Sequence, residues 1–228
     1  MWEAATARGL TPASLRRGAL ACAAVLGGIG FLSEVVAARW RGPGTERAMA
    51  FFSLSYEGNL PTWYSSVLLF ACALALREIA AREREARSLN RWHWAGLTAG
   101  FAFMSLDEVA QLHEHLSNLV EGSGVLHYSW IVPAGAMVAV LGGVYVPFLV
   151  RLPARRRRQL LIAGALYLGG AILMELPLGW WTERAGPDNL GYAAIDHVEE
   201  VLEMVGAGLF LAALREEMGG AGGTEAGA

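Results

Sequence analysis

Apolar residues fall along this chain in six long runs separated by short polar stretches, at 18–38, 61–80, 92–112, 128–150, 159–181 and 192–214. Each run is close to the roughly 20 residues that a helix needs to cross a bilayer core of about 30 Å. The pattern therefore predicts an all-α fold, a polytopic transmembrane helical bundle of six spans. The third and sixth runs stand apart because each carries acidic residues in one half. Between the first two, "AMAFFSL" reads as a short helix along the membrane interface. No second domain is expected: residues 1–217 form one transmembrane domain and 218–228 a flexible glycine-rich tail.

Composition supports the membrane reading. With 54% hydrophobic residues, 17% charged residues and a mean hydropathy of +0.37, the chain is too apolar for an ordinary soluble domain of 228 residues. All 18 basic residues are arginine, and only Arg39, Arg41, Arg47 and Arg184 fall on the side opposite the termini. The positive-inside rule then places both termini in the cytoplasm. Trp40, Trp63, Trp130, Trp180 and Trp181 fall at the outer ends of the runs and Trp92 and Trp94 at an inner end, as an interfacial aromatic belt requires. "SLRRGALACAAVLGGIGFL" has a basic region and an apolar core but no small-x-small cleavage site, so the first run is expected to remain as a span. A bacterial inner membrane is the expected location. Cys22 and Cys72 lie singly in separate runs and read as packing residues, without a disulfide or thiolate site.

The polar residues inside the runs are the candidate chemistry. In "SLDEVAQLHEHLS", a helix turning about 100° per residue would put Asp107, Glu108, Gln111, Glu114 and His115 on one face, with His113 pointing away. In "DHVEEVLEM", Asp196, Glu200 and Glu203 repeat the i, i+4, i+7 spacing of Asp107, Gln111 and Glu114. The third run goes outward and the sixth inward, so both stripes fall in the outer half of the bundle and could face each other. Glu34, Glu175 and His127 lie at the same depth, Pro177 should free the carbonyl of Leu173, and Glu57 and Asn59 precede Pro61 where a second helix would start.

Two plainer readings stand beside this one. Asp196, Glu199 and Glu57 could be helix-start residues favoured by the dipole, and the third span could end near Met104 with a solvated polar extension. Neither covers the whole group: Glu34, Asp107, Glu108, Glu114, Glu175, Asp196, Glu199, Glu200 and Glu203 have no basic residue inside the runs to pair with them. A carboxylate ionised at mid-membrane costs on the order of 3 kcal/mol. Such groups must be protonated, hydrated or neutralised by a cation.

Carboxylates with imidazoles and no thiolates suit a divalent metal ion, Zn, Mn or Fe. The expected ligands are Asp107, His115, Glu175, His197, Glu200 and Glu203, with Glu108 and Glu200 as candidate general bases. His197 and Glu200 give an H-x-x-E order, but the paired E-x-x-H motifs of helical di-metal sites are missing.

"EGNLPTWYSS" and "SLDEVAQLHE" resemble stretches in uncharacterised multi-pass bacterial membrane proteins, and the resemblance covers most of the six-span core. A more distant similarity, to zinc-dependent membrane hydrolases of the alkaline ceramidase group, rests on Ser105, Asp107, His115 and His197; the last run has no H-x-x-x-H pair. Three functions stay open: a metal-dependent membrane hydrolase or oxidoreductase, a proton or divalent-cation carrier, and an accessory subunit of a larger membrane complex. The expected partners are the lipid bilayer, a lipid or small-molecule substrate and other membrane proteins, with no nucleic acid.

Overall fold

The computed structural model describes residues 11–113 and 122–220. Among these it is all-helical: α1 (Pro12–Arg39), α2 (Pro43–Phe52), α3 (Leu60–Glu85), α4 (Arg91–Ala110), α5 (Ile131–Arg151), α6 (Ala154–Ala185) and α7 (Leu190–Gly220). The six apolar runs fall on α1 and α3 to α7, and the segment expected at the interface falls on α2. Four helices, α1, α3, α5 and α6, are long and apolar enough throughout to cross a membrane.

Starts and stops have local causes. Thr11 caps α1 by accepting from the Ser14 N–H at 3.1 Å, and Pro12 fits the first turn because it has no N–H to leave unpaired. Asn59 does the same for α3, accepting from the Thr62 N–H at 3.2 Å while its amide donates to the Ser53 carbonyl at 2.7 Å. That double role ties the α2–α3 connection to the helix it introduces.

α4 ends earlier than its periodicity predicts. Gln111 adopts a left-handed conformation, φ 54°, and the Asp107 carboxylate accepts from the His113 backbone N–H and meets His113 Nδ1, each at 3.0 Å. Asp107 thus ties His113 to the end of the helix. The continuous stripe from Asp107 to His115 is corrected accordingly: it breaks at Gln111, and His113, expected to point away, is bonded to Asp107. Glu114 and His115 lie outside the described residues.

α7 is the hub, packing against α1, α3 and both halves of α6. Near its C-terminal end, Phe210, Ala213 and Leu214 join Cys72, Leu76, Trp94, Phe148 and Leu160 in the largest buried apolar cluster. α5 is loosely held: only Ile131 and Phe148 of its residues are buried, and Val132, Met137, Val140, Val144 and Val150 face outward. Exposed apolar side chains also cover α1 and α3, among them Val25, Leu32, Val67 and Phe70. Such a surface fits a lipid bilayer and would be costly in water.

α6 changes register midway. Gly169–Met174 forms a π-helical turn, a widening often found at functional sites. A Cβ on Gly170 would lie 2.6 Å from the Glu199 carbonyl oxygen, and one on Gly206 would lie 2.6 Å from the Tyr167 nitrogen. The two glycines let α6 and α7 approach backbone to backbone, as small residues do in membrane bundles.

Candidate functional site

The close α6–α7 contact lies where α7 presents its acids. Asp196 and Glu199 are 9% and 7% exposed, and Glu175, just past the π turn of α6, is 7% exposed. Glu200 and Glu203 are partly buried on the same face of α7. From α4, Glu108 comes close enough to Glu200 and Glu203 for each to feel the others' charge, and Glu199 stands likewise to Glu175, Glu203 and Asp196. Six carboxylates from three helices therefore share one layer. Among the described residues no arginine forms an ion pair with any of them.

The register of α4 is fixed by a reciprocal serine pair. Ser66 Oγ donates to the Ser105 carbonyl at 2.8 Å and Ser105 Oγ donates to the Ser66 carbonyl at 2.9 Å. Glu108 follows Ser105 by one turn and inherits its direction.

Neutral donors supply part of what the carboxylates need. The Trp130 indole N–H, at the start of α5, donates to Glu175 Oε1 at 2.9 Å. The Tyr167 hydroxyl stands beside Glu203, and the Ser55 hydroxyl beside Asp196. Two oxygens remain unserved: Asp196 Oδ2 and Glu199 Oε2 are buried with no hydrogen-bond partner among the described residues. A buried acceptor left without a donor costs about 1–3 kcal/mol, and more if charged. These two oxygens call for a proton or another cation.

Other sequence candidates fall elsewhere. His197 turns to α1, its ring 5.2 Å from that of Phe31 and its Cε1 3.2 Å from where a Cβ on Gly27 would stand. Asp107 is engaged with His113, whose ring lies 5.1 Å from Trp130. Glu34 accepts from the Ser53 hydroxyl, and His127 packs against Tyr128 and Gly179. Among the described residues no group of three or more His, Cys, Asp or Glu side chains is arranged to hold a metal ion.

Outside the cluster lies a cavity of about 390 Å³ between α1, α2, the connection into α3 and the start of α7. Glu34, Arg41, Tyr56, Asp188 and Tyr192 line it, together with Ser55, the neighbour of Asp196. Burial raises the Tyr56 hydroxyl pKa, helped by the negative charges of Glu34 and Asp188. The cavity wall therefore reaches the cluster through one serine.

A family model for a domain of unknown function, DUF8692, matches residues 18–216. The chain belongs to this family. The matched segment runs from α1 to the last turns of α7 and contains all six clustered carboxylates together with Tyr167 and Ser55. No curated protein and no solved structure matches the chain.

Tyr167, Ser55 and Trp130 are the site residues that sequence patterning missed. Each is a neutral side chain whose partner lies on another helix, so no spacing within its own segment reveals it. The one usable signal was Pro177 beside Glu175, which pointed to irregular backbone in α6 but not to the π turn preceding it.

Proposed function

We propose that this is an integral membrane protein of six spans and one domain, with α4 and α7 as the acid-bearing third and sixth spans. Both termini lie on the cytoplasmic face of a bacterial inner membrane, and the carboxylate cluster opens outward as a cation site. Its first occupant is the proton. The observation that carries this reading is the pair of buried oxygens, Asp196 Oδ2 and Glu199 Oε2, which have no hydrogen-bond partner among the described residues and whose carboxylates pair with no described arginine. The geometry suits proton exchange with the outer cavity through Ser55, because a hydroxyl both donates and accepts.

Infrared spectroscopy of detergent-purified protein tests it. A band of protonated carboxyl groups is expected at neutral pH and should weaken in Glu199→Gln and Asp196→Asn. Absence of that band in the wild type would remove the proposal. The topology has its own check: a reporter after Ala228 should be cytoplasmic and one inserted near Gly124 external.

The same unpartnered oxygens favour a second reading, a divalent metal (Zn, Mn or Fe) serving hydrolytic or oxidoreductive chemistry, with Glu108 or Glu200 as base. Its ligands would come from Asp196 and Glu199, which carry those oxygens, with Glu175, Glu200 and Glu203 of the same layer, more readily than from His197, which packs on α1. Metal analysis of chelator-free protein separates the two: stoichiometric metal that is lost in Glu200→Gln selects this reading, and metal-free protein with the infrared band selects the first.

A further inference from the structure

The opposite end of the bundle is built for the opposite charge. The starts of α1 and α6 and the ends of α3 and α7 enclose a second cavity, of about 870 Å³. Arg82, Arg155, Arg156 and Arg215 line it, with Glu216 the one acid in the lining among the described residues. Three of these guanidiniums are held in place: Arg82 by Glu78 and the Met218 carbonyl, Arg155 by Glu216 at 3.0 Å, and Arg156 by Glu217. Arg215 is different. It is partly buried and forms no ion pair among the described residues.

An arginine withdrawn from water without a counter-ion pays a desolvation cost that an anion in the cavity would offset. The cavity supplies further positive potential, since the N-terminal ends of both α1 and α6 open onto it and α6 starts without a side-chain cap. A guanidinium fork beside free backbone N–H groups matches a phosphate in shape and charge. The rim adds a second chemistry: within about three helical turns the exposed apolar side chains begin, with Leu20 on α1 and Leu161 and Ile162 on α6. We infer that this arginine-lined cavity binds the phosphate of an anionic lipid headgroup, with the acyl chains running along α1 and α6. The inference does not depend on the carboxylate cluster.

The test is thermal unfolding of the full-length protein in neutral detergent, titrated with dioleoyl phosphatidylglycerol, dioleoyl phosphatidylcholine or inorganic phosphate. Phosphatidylglycerol should raise the unfolding temperature and phosphatidylcholine should not. Arg215→Gln should weaken phosphatidylglycerol binding about tenfold, as expected for loss of a charge-assisted contact, and Arg215→Lys by less. Arg41→Gln, at the other end of the molecule, should bind as the wild type does. Should Arg215→Gln not fold, Arg155→Gln replaces it, because Arg155 is largely exposed and its removal should leave the fold intact. Equal stabilisation by both lipids, or wild-type affinity in the Arg215 variants, overturns the inference. An Arg215-dependent shift with inorganic phosphate of the same size would assign the cavity to a soluble phosphate and overturn the lipid assignment.

Discussion

Gly170→Ala is a stringent test of the helix contact on which the carboxylate layer depends. The added methyl would stand 2.6 Å from the Glu199 carbonyl oxygen, 2.8 Å from Glu203 Cγ and 3.3 Å from the Glu203 nitrogen. Two of those atoms are backbone and cannot rotate aside, so α6 and α7 would have to part by roughly 1 Å to restore ordinary contact distances. Overpacking of this kind costs about 1–3 kcal/mol. Alanine recovers part of that, about 0.5–1 kcal/mol, because it stiffens the unfolded chain and favours helix. The clash wins, and a net loss near 1–2 kcal/mol corresponds to a fall of about 2–8 °C in Tm for a chain of this size. Gly169→Ala is the matched control: the neighbouring position has nothing within 4 Å of an added Cβ, so this substitution should be neutral or slightly stabilising. Tryptophan-fluorescence melting in detergent reads both. If Gly170→Ala melts with Gly169→Ala, the backbone contact between α6 and α7 is not as close as described and the positioning of Glu199 and Glu203 loses its basis.

Asp107→Asn should cost about 1–2 kcal/mol, because the amide accepts less strongly from the two His113 donors, and His113→Ala should cost a similar amount; additive losses in the double variant, measured by chemical unfolding, would disprove the pairing. Ser66→Ala and Ser105→Ala should each destabilise by about 1 kcal/mol and together by less than their sum, and crosslinking of cysteines placed at Val67 and Leu106 should broaden in register when both hydroxyls are gone. Tyr167→Phe removes the donor beside Glu203 while keeping the ring, so it should shift the protonated-carboxyl infrared band without lowering Tm by more than about 3 °C; an unchanged band would place the Tyr167 hydroxyl away from the cluster.

Hydropathy located the helices well but misjudged where they end. α6 begins at Ala154, ahead of the apolar run, because Arg155 and Arg156 are helical residues whose charge is met by Glu216 and Glu217 on α7. A transfer scale counts those arginines against a helix that ion pairing allows. The helical wheel failed at the other kind of boundary. It carried the stripe past Gln111, where a left-handed residue breaks the helix and the Asp107 carboxylate takes up the His113 N–H, and no periodicity encodes such a stop. The wheel did gather Asp196, Glu200 and Glu203, since a straight helix fixes those directions. Which neighbour each face meets was not legible: His197 is only a short arc from Glu200, yet Gly27 opens a place for it on α1.

The division of the interior along α7, acids toward one end and Phe210, Ala213 and Leu214 toward the other, has an electrical consequence in a bilayer. A membrane voltage falls mainly where polarisable groups and water are fewest, which here is the apolar layer formed with Leu76, Trp94 and Phe148. On the proposed outward opening, the carboxylates then sit close to the potential of the outer compartment. A charge moving between that compartment and the cluster crosses little of the field, so its occupancy should follow the local ion concentration and respond weakly to voltage. The full work of about 2.3 kcal/mol per charge per 100 mV falls on any ion that continues through the apolar layer.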